Sequence, residues 1–105
     1  MPPKGYVIAQ VIEIHDQDGF ARYRELVGPT VAKFDGRFIV RGGAAERIEG
    51  AAPCGRVVVI EFASVAQAKS WYHSAEYQAV LALRLPVSTI MTSTVDTGKR
   101  SAKAA

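Results

Sequence analysis

The stretch RVVVIEF, from Arg56 to Phe62, carries the strongest indication of secondary structure in the sequence. It contains four consecutive β-branched residues, which disfavour a helix and favour a strand. Successive side chains of a strand point to opposite faces of a sheet, so Val58 and Ile60 share one face while Val59 lies on the other. Because both faces are apolar, we expect both to be covered.

Three further segments have the composition or the alternation of β-strands. They are residues 6–14, residues 37–41 and residues 88–95. Gly42 and Gly43 follow the second of these strands and predict a break or a bulge. Residues 46–49 are then expected to resume the strand.

Helical patterns separate these strands into the order β-α-β-β-α-β. The first helix is expected over residues 16–26, and Gly28-Pro29 predicts an interruption, because proline lacks an amide donor and restricts its predecessor. A second piece is expected over residues 29–34. The other helical region begins at Ser64, which has the sequence context of an N-cap, and restarts at Ser74, a second candidate N-cap.

This order predicts an α+β, ferredoxin-like fold, in which a four-stranded antiparallel sheet carries both helices on one face. A chain of 105 residues fits one such domain, expected over residues 1–97. The other face of the sheet would be bare and apolar. We therefore expect a homodimer in which a second protomer covers that face and the two sheets form a dimeric α/β barrel.

The formal net charge of +3 arises at the C-terminal end. Lys99, Arg100 and Lys103 lie in residues 98–105, a basic tail that we expect to be disordered, and the remaining basic and acidic residues balance. A neutral body gives no reason to expect nucleic-acid binding. No apolar run approaches the ~20 residues that cross a bilayer, so we expect no membrane association and a cytoplasmic location.

Cysteine and histidine usage gives no indication of a bound metal. The single cysteine, Cys54, cannot form an internal disulfide, and it lies in a Gly/Ala/Pro-rich segment expected to be a loop. The histidines, His15 and His73, match no spacing typical of a metal site. We therefore expect neither a metal nor a cofactor.

Two charged residues stand inside otherwise apolar strands, Arg41 in RFIVRGG (37–43) and Glu61 in RVVVIEF. We expect them to face each other across adjacent strands, since each is costly to bury without a partner. One interpretation is a structural ion pair. Another makes Arg41 an anion-binding group and Glu61 its orienting partner or a proton acceptor, and a third leaves both exposed at the rim.

Several stretches in the same order resemble a bacterial domain-of-unknown-function family, the one numbered thirteen-thirty. They are KGYVIAQVIEI, YRELVGPTVAKFDGRFIVRGG, RVVVIEF and SWYHSAEYQAVLALR, within residues 4–95. The resemblance implies the dimeric α/β-barrel superfamily, which includes cofactor-independent monooxygenases, muconolactone isomerase and heme-degrading enzymes. The family has no established activity, so the resemblance implies a fold and leaves the activity open. The motif residues that it carries over are Arg41, Gly42, Gly43, Glu61, Phe62, Ser74, Tyr77 and Arg84.

These observations predict a small, mostly apolar pocket with one polar end. Arg41, Glu61 and His73 are the candidate catalytic residues, although the sequence favours a partly exposed bystander over a general base at His73. The candidate ligand-binding residues are Tyr6, Ser74, Tyr77 and Arg84. Such a pocket suits a small organic acid or an aromatic ligand, with proton transfer or cofactor-free oxidation as the chemistry. The competing hypothesis is a non-catalytic dimeric binding or structural module.

Overall fold

A computed structural model describes residues 3–50 and 55–98 of the chain, as four strands and three helices. The strands are β1 (Gly5–Ile14), β2 (Arg37–Gly43), β3 (Arg56–Phe62) and β4 (Ser88–Asp96). The helices are α1 (Gln17–Lys33), α2 (Val65–Tyr72) and α3 (Ala75–Arg84). Cys54 and residues 99–105 of the predicted tail lie outside the described residues.

The strands form one antiparallel sheet in the order β2-β3-β1-β4. This is the α+β, ferredoxin-like arrangement that the sequence predicts, with β1 and β3 as the central strands. Helix α1 packs mainly against α3, and α2 packs on β1 and its neighbours. No helix in the described part of the chain has both the length and the apolarity that crossing a membrane requires.

The expected resumption of β2 over residues 46–49 is wrong, since residues 44–50 form no strand. Strand β3 begins at Arg56, and Val57 is already paired with Gly43. Only Arg56 of β3 extends beyond this pair, so residues 46–49 have no part of β3 beside them to supply ladder hydrogen bonds. Gly42 has a positive φ of 78° and lies at a bulge, as the glycine pair predicts.

The expected interruption of α1 at Gly28-Pro29 is also wrong, because α1 is continuous and contains Pro29. Pro29 is exposed, so water can hydrogen-bond to the carbonyl oxygen that lacks an amide donor. Val27 and Val31, on either side of the proline, are both buried in the core and hold the two halves of the helix in line. Asp16 caps the helix by accepting a hydrogen bond from the amide of Gly19, at 3.1 Å.

The two serine N-caps are confirmed. Ser64 Oγ accepts a hydrogen bond from the amide of Gln67 at 3.0 Å, and Ser74 Oγ accepts one from the amide of Tyr77 at 3.1 Å. Ser74 Oγ also donates to the carbonyl of Trp71 at 2.7 Å, across the break between α2 and α3. The cap of α3 is therefore joined to the end of α2.

The hydrophobic core lies between the helices and one face of the sheet. A buried polar contact runs through it: Trp71 Nε1 donates to Thr30 Oγ1 at 3.0 Å, and that hydroxyl donates to the carbonyl of Val27 at 2.7 Å. This contact ties α2 to α1. The apolar members of the core are Val7, Val27, Val31, Ile60, Phe62, Ala68, Trp71, Tyr77, Val80 and Leu81.

The start of β1 passes very close to the start of α2. A Cβ atom at Gly5 would lie 2.4 Å from the carbonyl carbon of Ser64, a distance that real Cβ atoms do not adopt. Only glycine allows the two backbones to approach in this way.

The opposite side of the sheet, here called the open face, carries none of the three described helices. Register places these side chains on it: Tyr6, Ile8, Gln10, Arg37, Val40, Val57, Val59, Glu61, Met91, Ser93 and Val95. Met91 is 63% exposed and Val95 45% exposed. The apolar second face that the sequence predicts for β1 and β3 is therefore present in the fold.

Candidate ligand-binding site

A cavity of about 590 Å³ lies between the helix-facing side of the sheet and helix α1. Its volume falls within the range of roughly 300 to 1,000 Å³ that is usual for small-molecule sites. The walls are mostly hydrocarbon and aromatic. Their apolar residues include Val7, Ala9, Phe20, Val27, Phe38, Val58, Ile60 and Trp71.

One arginine is buried at this cavity. Arg84, in the last turn of α3, is only 5% exposed, and no carboxylate of the described residues lies within salt-bridge distance of it. Its guanidinium lies 5.7 Å from the ring centre of Tyr23. A buried cation without a charged partner is unusual in a folded protein.

Two phenol groups also belong to the polar part of the cavity. The hydroxyls of Tyr23 and Tyr77 lie 2.9 Å apart, and both side chains line the cavity. Burial raises the pKa of Tyr23 far above its ordinary value of 10.0, so its hydroxyl keeps its proton. The two hydroxyls share one hydrogen bond, which leaves a second O–H free to donate to a ligand.

Arg41 lies at one side of the same cavity. Its guanidinium stacks on the ring of Phe38, 4.2 Å from the ring centre, and a Cβ atom at Gly28 of α1 would lie 3.7 Å from its Nη2 atom. The side chain therefore reaches from β2 across to α1.

The expected Arg41–Glu61 pair is wrong. Arg41 lies opposite Val58 in the sheet, whereas Glu61 lies opposite Arg37. The bulge between Phe38 and Val40 shifts the register by one residue, which moves Arg41 to the helix-facing side. Glu61 remains on the open face.

Glu61 has other partners there. Arg37 Nε donates to its carboxylate at 2.8 Å, the hydroxyl of Tyr6 donates at 3.2 Å, and Lys4 Nζ lies 3.9 Å away. The hydrogen bond from Arg37 is the main reason that the pKa of Glu61 is lowered. Glu61 and Tyr6 therefore form a polar cluster on the open face, separate from the cavity.

His73 and Ser74 also lie outside the cavity. His73 follows α2, is exposed, and packs its ring edge-on against Tyr72, with 5.3 Å between the ring centres. The hydroxyl of Ser74 is occupied by its cap contacts. Of the predicted site residues, the structure thus brings together Arg41, Tyr77 and Arg84.

Five polar residues of the cavity lining were not predicted: Gln17, Tyr23, Arg24, Arg56 and Thr92. Tyr23 has the helical spacing of a core residue, and nothing in that spacing shows where its hydroxyl points. Arg56 had a detectable signal, because it shares the face of Val58 and Ile60 in the alternation of β3. Arg24 had none, since it follows Tyr23 on a helix whose exposed side is largely charged.

The charged residues that line the cavity all have positive charge. Four arginines line it, and its described lining includes no aspartate, glutamate or histidine. No group of three His, Cys, Asp or Glu side chains within residues 3–50 and 55–98 could hold a metal ion. The arrangement can bind an anion and donate a phenol hydrogen bond to it.

The sheet order, with helices on one face and a cavity beneath them, defines an α+β protein of the ferredoxin-like type. The chain belongs to the family described as domain of unknown function (DUF1330), whose profile matches residues 4–97. The resemblance found in the sequence is therefore confirmed. Comparison with curated proteins gives no match.

Solved structures have the same fold at low sequence identity. A protein of unknown function from Rhodopseudomonas palustris is 17% identical, with a TM-score of 0.70 over 95% of this chain and 86% of that one. A dimeric ferredoxin-like protein of unknown function from Jannaschia sp. CCS1 is 11% identical, with a TM-score of 0.66 over 90% and 99%. Hydroxynitrile lyase from Passiflora edulis is 13% identical, with a TM-score of 0.66 over 96% and 99%. At these identities the likeness concerns the fold alone.

Proposed function

We propose that this protein binds a small organic acid in the cavity between the sheet and helix α1. The acid group lies against Arg84 and receives a hydrogen bond from the hydroxyl pair of Tyr23 and Tyr77. The observation that carries the proposal is the burial of Arg84 without a carboxylate partner. A planar guanidinium matches a carboxylate in shape and charge, so a bound acid would supply the missing partner.

The rest of the ligand is apolar. The cavity walls near the sheet are Val7, Ala9, Val58 and Ile60, and Trp71 contributes an aromatic surface. An aromatic or unsaturated acid of modest size satisfies both the polar and the apolar parts.

The geometry favours binding over proton abstraction. The groups that the sequence suggested as bases, Glu61 and His73, lie outside the cavity, and Tyr23 is held protonated by its burial. The hydroxyl pair is therefore suited to donating a hydrogen bond. A non-catalytic binding module, the alternative hypothesis from the sequence, fits this lining as well as an enzyme does.

Binding of benzoate and phenylacetate tests the proposal by thermal shift and isothermal titration calorimetry, with benzamide as the uncharged comparison. In the variant Arg84→Met we expect about tenfold or greater loss of affinity for the acids, since a charge-assisted hydrogen bond is removed. Arg22→Met is the matched control, because Arg22 is exposed on α1 and does not line the cavity. Unchanged affinity in Arg84→Met, or no binding of any acid, contradicts the proposal.

The stability of the unliganded variant separates a binding role of Arg84 from a structural one. A buried cation without a charged partner costs free energy, so replacing it with methionine is expected to leave the melting temperature unchanged or raised. A large fall in melting temperature would instead assign Arg84 to holding the fold together.

We further propose a homodimer in which the open faces of two protomers pack together. The exposed apolar side chains of the open face support this proposal, as does the description of the similar Jannaschia protein as dimeric. Met91→Lys should shift the protein to monomers in analytical ultracentrifugation. Leu85→Lys is the control, since Leu85 is 61% exposed against 63% for Met91 but lies at the end of α3. Equal behaviour of the two variants argues against this interface.

A further inference from the structure

We propose that the ligand is a dianion: an organic acid that carries a second acidic group, bound by Arg24, Arg41 and Arg56. This inference rests on the proposed function and extends it to the class of ligand. Arg84 takes one acid group inside the cavity, and the three exposed arginines of the lining receive the other at its mouth.

Arg41 and Arg56 are held at the mouth by contacts with the protein. Arg41 stacks on Phe38 and lies against Gly28, while Arg56 Nη1 donates to the carbonyl of Gly42 at 2.9 Å. Each guanidinium retains further N–H groups for an anion, because arginine has five donors. Such pre-positioned groups lose less conformational entropy on binding a ligand than free surface side chains do.

Arg24 adds a third cation from the opposite wall. It lies on α1, and its guanidinium is 5.9 Å from the ring centre of Phe20. The mouth thus has cationic groups on both the helix and the strands that border it.

Three other cations among the described residues have a carboxylate partner. Arg37 and Lys4 share the carboxylate of Glu61, and Lys33 pairs with Glu76. By contrast, none of the four cavity arginines has a carboxylate within salt-bridge distance among the described residues. Like charges gathered in a cleft with low-dielectric walls attract anions more strongly than the same charges spread over a surface.

The linker between the two acid groups is hydrocarbon, because the walls of the cavity are apolar. A rigid ring or a conjugated chain fits this lining at the lowest conformational cost. The ligand class is therefore an aromatic or unsaturated diacid.

Calorimetry with matched acids tests the inference: benzoate against terephthalate, and phenylacetate against 1,4-phenylenediacetate. We expect at least one diacid to bind about tenfold more tightly than its monoacid at low salt, with an advantage that falls as salt is raised. Arg41→Gln and Arg56→Gln should each lower the diacid affinity by a larger factor than the monoacid affinity and so remove most of this advantage. Arg22→Gln, on α1 but outside the lining, should change neither affinity.

The outcomes separate the two proposals. If the monoacids bind through Arg84 and neither diacid binds more tightly, the dianion is excluded while the proposed function stands. An equal loss of diacid affinity in Arg22→Gln would show a general surface-charge effect and would likewise exclude the dianion. If no acid binds, both proposals fail.

Discussion

Replacing Thr30 with valine should destabilise the protein through a single buried hydrogen bond. Valine has nearly the same shape as threonine, so little packing is lost, but Trp71 Nε1 loses its acceptor at 3.0 Å. Both residues are buried, with 8% of Thr30 and 2% of Trp71 exposed, so water cannot replace the hydroxyl. Leaving a buried donor without a partner costs about 1 to 3 kcal/mol.

The carbonyl of Val27 limits the size of this effect. It also loses the hydrogen bond from Thr30, but it lies within α1, where a backbone amide one turn later can donate to it. The cost therefore comes mainly from the indole. For a domain of this size it corresponds to a fall in melting temperature of about 4 to 20 °C.

Chemical denaturation followed by circular dichroism, at fixed protein concentration, measures the change. Thr94→Val is the matched control, because Thr94 is exposed on β4, and it should alter the free energy of unfolding by less than about 0.5 kcal/mol. In a Trp71→Phe background, Thr30→Val should cost far less, since the indole donor is absent. An equal cost in both backgrounds would refute the role of the hydrogen bond.

Three further changes test other parts of the fold. Glu61→Gln should make the stability of the protein less sensitive to acid. Because the pKa of Glu61 is lowered in the folded state, its carboxylate stabilises the fold above pH 4.5, its ordinary pKa, and this stabilisation is lost as the pH falls through the folded-state pKa. The difference between the melting temperatures at pH 6 and about pH 3 should therefore be smaller in the variant. Ser74→Ala should cost about 0.5 to 2 kcal/mol in urea denaturation, whereas Ser70→Ala, at an exposed position within α2, should be neutral or slightly stabilising. Gly5→Ala should lower the melting temperature by more than Ser74→Ala does, because its Cβ would meet the backbone of α2.

Secondary structure was predictable wherever one local rule determined it. The bounds of β3 agree with the prediction, because a run of β-branched residues has a strong preference for strand. The serine caps were predictable because a cap is a contact between neighbours in sequence. Pro29 was misjudged because its effect depends on exposure and on the packing of both halves of α1, which the local sequence does not contain.

The candidate site was predictable only in part, and the reason is the register of β2. One bulge decides which face of the sheet receives Arg41, and a single inserted residue leaves no clear mark in the sequence. Arg84 and Tyr77 were found through the family resemblance. Their role at the cavity depends on Tyr23, which contacts Tyr77 but lies on α1, far away in the sequence.

Successive side chains of β3 point to opposite faces of the sheet, so neighbouring residues take part in different proposed activities of the protein. Val58 belongs to the cavity, and Val59, the next residue, belongs to the open face. Substitutions one position apart can therefore alter either ligand choice or self-association while sparing the other property. Across related sequences, even and odd positions of this strand are expected to vary under separate selective constraints.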